Sequence, residues 1–142
     1  MFLGAIADDV TGGTDLASVL RRSGLTVVQT LDTLAVPAGA DAVVVSLKIR
    51  SSAAAVARVS ARQAAEALRS AGAGQIYFKY CSTFDSTDAG NIGPVIDELL
   101  TQLDAPFSIA CPAYPSLGRT VYAGISSWAL SCCPSLRCVT TR

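Results

Sequence analysis

Histidine is absent from the 142 residues. That removes the commonest general base and metal ligand, and with it Ser-His-Asp and Cys-His catalysis. Any acid–base work must fall to Asp, Glu, Lys, Tyr or Cys. An excess of either charge is also lacking, because 11 Lys plus Arg balance 11 Asp plus Glu. No global field then points to nucleic acid or to a membrane surface. Apolar runs such as 42–45 are far too short to span a bilayer. The apolar start, 1–7, lacks a basic leader and runs straight into Asp8-Asp9. A buried first strand is expected there rather than a signal peptide, which favours a cytoplasmic setting. Five cysteines are an odd number, and their spacing fits no structural zinc pattern. No metal site is expected.

What is present is a core. About half of the residues (51%) are apolar, enough for one ordinary domain and too many for a disordered chain. Residues 2–7 read as a buried strand, ended by a polar turn over 8–14. A helix is predicted over 15–22, with Thr14 as its N-cap and Gly24 just past its end. Residues 26–30 are mostly β-branched and read as a second strand. The continuous apolar run 42–47 reads as a strand buried on both faces. Ser51 or Ser52 could cap a long Ala-rich helix reaching Ala71, with Val56, Val59, Ala64, Ala67 and Leu68 at helical spacing. Residues 75–79 read as a strand, 80–91 as a polar loop, 93–103 as a helix and 107–110 as a fifth strand. This alternation predicts an α/β fold: a mostly parallel, Rossmann-like three-layer sheet with helices on both faces.

In such sheets ligands bind at the carboxyl ends of the strands, and the polar residues gather there. Asp8 and Asp9 follow the first strand, and Thr11, Gly12 and Gly13 continue that turn. It lacks the Gly-Lys-Ser/Thr ending of a P-loop and the glycine spacing of a dinucleotide fingerprint. Alone it reads equally as a solvated helix cap. Lys48 and Arg50 follow the third strand, and a guanidinium there could grip a carboxylate with two parallel hydrogen bonds. Lys79 opens a loop rich in hydroxyls: Ser82, Asp85, Ser86 and Thr87, closed by Gly90-Asn91. That mix suits a polyhydroxylated anion, with Lys79 neutralising its carboxylate. It also suits an ordinary surface loop. Cys111, in a proline-stiffened loop, has no base to activate it and reads as a structural thiol.

Three segments together resemble the four-carbon acid sugar kinase family, in its 3-oxo-tetronate kinase branch. They are Ile6-Ala7-Asp8-Asp9-Val10-Thr11-Gly12-Gly13-Thr14-Asp15, residues 75–87 with Gly90-Asn91-Ile92-Gly93-Pro94, and Ala110-Cys111-Pro112-Ala113-Tyr114-Pro115 with Gly118-Arg119-Thr120-Val121-Tyr122. Gly13 departs from the alanine usual in that family. The resemblance covers 2–124 and implies an N-terminal domain that binds the sugar acid and a C-terminal domain that binds the nucleotide. The implied activity is ATP-dependent phosphorylation of the terminal hydroxyl of a 3-oxo-tetronate. It places Asp8 or Asp9 as the base. It puts Thr11, Arg50, Lys79, Ser82, Asp85, Ser86, Thr87, Gly90 and Asn91 in the substrate region. ATP and Mg belong to the full-length family, and neither is expected to bind this chain. The implied partner is a small sugar acid, with homo-oligomerisation left open.

From Ile125 onward the composition changes, with the only Trp, three of the five cysteines, two arginines and no acid. No strand or helix period is evident. Back-translating 124–129 as GGC ATC TCT TCG TGG GCG and restoring one C gives Gly-His-Leu-Phe-Val-Gly, the run with which the family continues. A disturbed frame over 125–142 and a truncated fold, without the nucleotide domain and inactive alone, are therefore expected. Two rivals remain: a non-catalytic sugar-acid-binding module or non-functional fragment, and a dehalogenase-like phosphatase. The phosphatase would need its two aspartates separated by one residue.

Overall fold

The structure is a computed structural model. It describes residues 1–31, 35–81 and 87–122 in full, and 125–128 and 131–137 as backbone. The chain divides into two units. Among the described residues the first holds 1–81 and 87–108, and the second begins at Ile109.

The first unit runs β1 (Leu3–Ala7), α1 (Val10–Arg22), β2 (Val27–Thr30), β3 (Ala42–Ser46), α2 (Ala54–Ser70), β4 (Gln75–Lys79) and α3 (Ile92–Leu103). The four strands form one parallel sheet in the order β2-β3-β1-β4. β3 is buried at all five positions because helices cover both faces. Its alternation sorts the core into two layers. Val43 and Val45, with Ile6, pack with Ala57, Ala61, Ala64, Ala65 and Leu68 of α2 and with Val95 and Leu99 of α3. Val44, with Ala5 and Ala7, packs with Leu16, Ala17 and Leu20 of α1. Each fully buried Val or Leu contributes about 1.5–3 kcal/mol. The α/β expectation with helices on both faces therefore holds.

α2 meets the sheet through alanines, which lets it come close. A methyl placed on Gly4 of β1 would lie 3.0 Å from Ala73 Cβ and 3.1 Å from Leu68 Cβ. Val56 and Val59, expected in the core, are exposed, because the buried stripe runs through Ala57, Ala61 and Ala64 instead. The expected serine cap is absent too. Ala53 occupies the N-cap, and Ser52 Oγ bonds Ile49 O at 3.1 Å.

The first helix starts five residues earlier than expected. Asp9, not Thr14, is its N-cap, and Gly12 and Gly13 lie inside it. Two glycines in a helix cost about 1 kcal/mol each relative to alanine, which is why they read as a turn. They are kept by close packing. A methyl on Gly13 would collide with Ser46 Oγ of β3, and one on Gly12 would crowd Asp9 Oδ1.

Residues 107–110 form no strand. Pro106 and Pro112 bracket this short apolar run, and Phe107 and Ile109 are exposed.

In the second unit a 3-10 turn, Pro115–Leu117, leads into β5 (Arg119–Tyr122), β6 (Ile125–Trp128) and β7 (Ser131–Arg137). These form an antiparallel sheet in that order. Backbone bonds between Tyr114 and Arg119 close the turn, with Gly118 at φ +72. Pairing with β5 thus gives strand backbone to a segment that shows no strand period. Pro134 falls in the irregular stretch of β6–β7 pairing, where a missing N–H is tolerated. No helix among the described residues is long and apolar enough to cross a membrane.

Candidate functional site

The sheet order creates the crevice. β1 and β3 are neighbours, yet β1 leads into α1 on one face and β3 leads toward α2 on the other. The connections that leave them go to opposite faces, as at the topological switch of an open α/β sheet. Asp8 and Asp9 leave β1 on one side of this opening, and Arg50 leaves β3 on the other. Backbone bonds stitch the rim: Asp8 N donates to Lys79 O at 3.0 Å, Leu47 N to Ala7 O at 2.9 Å and Ile49 N to Asp8 O at 3.1 Å.

Arg50 clamps both carboxylates. Its Nε donates to Asp8 Oδ2 at 3.1 Å and its Nη2 to Asp8 Oδ1 at 3.0 Å, a two-pronged pair. Its Nη1 reaches Asp9 Oδ2 at 2.9 Å. The Asp8 hydrogen bond raises the Arg50 pKa above its ordinary value, with partial burial opposing it. Asp9 Oδ1 accepts from Gly12 N at 2.6 Å, so the same carboxylate caps α1. The Asp8 side chain is 6% exposed and that of Asp9 27%, so Asp9 is the carboxylate a ligand can reach.

Lys79, at the end of β4, completes the group. Its Nζ donates to Tyr80 O at 2.8 Å. A methyl on Gly12 would lie 2.8 Å from Asp9 Oδ1, 3.7 Å from Lys79 Nζ and 3.8 Å from Asp8 Oδ1. Two carboxylates and an ammonium therefore face one small space, kept open by the missing side chain of Gly12. The first N–H groups of α1 lie at the same place, where a helix N-terminus favours negative charge. No group of three or more His, Cys, Asp or Glu among the described residues could hold a metal ion.

The sugar-binding N-terminal domain family matches residues 3–130. The chain belongs to this family. A 3-oxo-tetronate kinase of Burkholderia multivorans is 56% identical over 124 residues, which is 86% of this chain and 29% of that protein. The domain thus spans under a third of the length of such a relative. A Haemophilus influenzae crystal structure is 46% identical, covers 87% of this chain and 30% of that one, and superposes with a TM-score of 0.83. A Bordetella bronchiseptica structure is 32% identical, covers 93% of this chain and 34% of that one, and has a TM-score of 0.77. It is described as a domain-swapped dimer with bound citrate.

Of the residues expected in the site, the sugar-binding domain brings Asp8, Asp9, Arg50 and Lys79 together. Arg50 spends three of its N–H groups on Asp8 and Asp9 rather than standing open for a ligand. Thr11 is exposed in the first turn of α1. Thr87 is exposed and its carbonyl accepts from Gly90 N at 2.8 Å, a turn ahead of α3. Asn91 is buried, and its amide donates to Ile49 O at 2.6 Å and Ser52 O at 2.8 Å. Ser82, Asp85 and Ser86 lie outside the described residues.

Two residues of the domain escaped the sequence reading. Gln29 of β2 donates from Nε2 to Ser46 Oγ at 2.8 Å and to Val10 O at 3.3 Å, and its Oε1 accepts from Thr14 Oγ1 at 3.1 Å. It ties the edge strand and β3 to the first turn of α1. The only signal was polarity: Ser46 ends the otherwise apolar β3, and Gln29 follows two valines in β2.

Proposed function

We propose that this chain is the sugar-acid-binding domain of an ATP-dependent kinase that phosphorylates the terminal 4-hydroxyl of a four-carbon acid sugar such as 3-oxo-tetronate. The observation that carries the reading is the convergence of Asp9, Asp8, Lys79 and the α1 N-terminus on the open space at Gly12. Asp9, the more accessible of the two carboxylates, accepts the proton of the attacking hydroxyl. Arg50 holds it in place through the Nη1 contact to Oδ2. Lys79 and the helix N-terminus meet the acid end of the ligand. The names of the 3-oxo-tetronate kinase relatives support the substrate class, and the citrate in the Bordetella structure supports a small polycarboxylate or hydroxy-acid ligand.

ATP and Mg act, in this reading, on the remaining length of the kinase. Phosphoryl transfer is mostly positioning plus charge stabilisation at the phosphates. We assign none of the residues here to that task, so the chain alone binds without phosphorylating. The dimeric Bordetella neighbour supports self-association of this chain as well, which light scattering on the purified protein would measure.

The test is calorimetry with tetronate, 3-oxo-tetronate and citrate. Saturable binding is expected, weakened at least tenfold by Lys79→Met. No heat with any of the three at millimolar concentration would overturn the reading, as would wild-type affinity in the Lys79→Met protein. ATP-dependent phosphorylation of a tetronate by this chain alone would overturn the division of labour.

A further inference from the structure

We infer that Asn91 is a positioning residue for the carboxylate pair, acting through the backbone of 49–52 and through Arg50. Asn91 occupies the N-cap of α3, where Asn, Asp, Ser and Thr serve about equally by accepting from the helix's first N–H groups. It does not do this, because its side chain makes no cap bond. The amide is turned the other way, toward the loop that follows β3. Nδ2 donates to Ile49 O at 2.6 Å and Ser52 O at 2.8 Å, with Arg50 O at 3.4 Å. Only 8% of the residue is exposed, and its Oδ1 is buried with no partner among the described residues. An unsatisfied buried oxygen costs about 1–3 kcal/mol. The side chain bears that cost while placing both amide hydrogens on the carbonyls that bracket Arg50.

Chemistry narrows the choice of residue at this position. A carboxylate or hydroxyl would cap α3 as well, but among the residues that favour an N-cap only the carboxamide offers two hydrogens on one nitrogen. The loop it holds is fixed on its far side by Ile49 N donating to Asp8 O at 3.1 Å. Arg50 then projects from a segment pinned on both flanks, and its guanidinium fixes Asp8 and Asp9. Asn91 lies 41 positions from Arg50 in sequence and touches neither aspartate in the bonds described. Its effect reaches the site through Arg50.

The primary readout needs no ligand. In nitrogen-15 NMR spectra, the Nε–H of Arg50 exchanges slowly while it is held on Asp8. Asn91→Ala is expected to speed that exchange at least tenfold, with the amides of β1 and β3 still protected. Asn91→Asp isolates the donors, since it keeps the size of the side chain and suits an N-cap position but loses both amide hydrogens. It is expected to match Asn91→Ala. Unchanged Arg50 exchange in folded Asn91→Ala or Asn91→Asp protein would overturn the inference. If neither folds, Asn91→Ser, which retains one donor, is expected to give an intermediate rate, and a wild-type rate would overturn it. A ligand-binding arm, which rests on the sugar-acid reading, uses tetronate calorimetry in the wild-type and Arg50→Lys backgrounds. Asn91→Ala should cost about tenfold in affinity in the first and nothing further in the second. Equal losses in both would count against action through Arg50. Absence of binding of tetronate, 3-oxo-tetronate and citrate by the wild-type chain would sink the sugar-acid reading and leave the exchange measurement to decide this one.

Discussion

Arg50 is the residue on which the charged group turns. Removing it leaves the nearly buried Asp8 carboxylate without its two-pronged partner. Breaking a fully buried pair costs about 3–5 kcal/mol. The Arg50 side chain is 35% exposed, so solvent screening reduces the expected loss for Arg50→Ala to about 2 kcal/mol. Urea denaturation would measure it. Gly12→Ala tests the floor of the same space. Its methyl displaces Asp9 Oδ1, which should cost about 1 kcal/mol of helix capping and weaken tetronate binding in calorimetry. At this scale the sequence showed which side chains carry charge but not what they touch. Arg50 was legible as a cation at a strand end. Its engagement with Asp8 spans 42 positions, and no local pattern encodes that distance. Asn91 was legible as a polar loop residue, yet its burial and its turn away from its own helix follow from tertiary packing.

Among the elements, β3 and β4 were readable because burial on both faces demands a continuous apolar run and because glycines punctuate the chain before β4. α1 was misread at its start for an equally physical reason. Gly12 and Gly13 oppose helix formation locally, and only the approach to Ser46 and Asp9 accounts for them. The antiparallel strands after Arg119 were illegible because their pairing partners, not their composition, give them strand backbone. Two tests belong here. Gln29→Leu removes the donor to the buried Ser46 Oγ, while Val10 O keeps the Thr14 hydroxyl as a donor. A loss of about 1–3 kcal/mol is expected in urea melts, with faster amide exchange in the first turn of α1. Asp104 ends α3 at φ 49, a left-handed conformation that glycine adopts without strain. Asp104→Gly should leave thermal stability unchanged or raise it by about 0.5–1 kcal/mol.

Over the first unit as a whole, charge is arranged at both ends of the sheet. At the amino ends of β2 and β3, Asp41 Oδ2 accepts from Thr26 N at 2.8 Å and Thr26 Oγ1 at 2.6 Å. These bonds lower the Asp41 pKa from its usual 3.8. A depressed carboxylate stabilises the fold above its unfolded pKa, and that contribution fades as the pH falls through the lower folded value. Asp41→Asn should therefore lower the urea midpoint at pH 7, and the gap to wild type should close as the pH falls below the ordinary carboxylate value of 3.8 and on through the lower folded one. At the carboxyl end, positions 8, 50, 79 and 91 become neighbours only when three parallel strands have aligned and α3 has docked. Under the proposed sugar-acid reading, affinity for a small acid then works as a gauge of completed folding, since a chain with β4 undocked would lack Lys79 at the site. Saturating tetronate, at a hundred times its Kd, should add about 2.7 kcal/mol to the unfolding free energy.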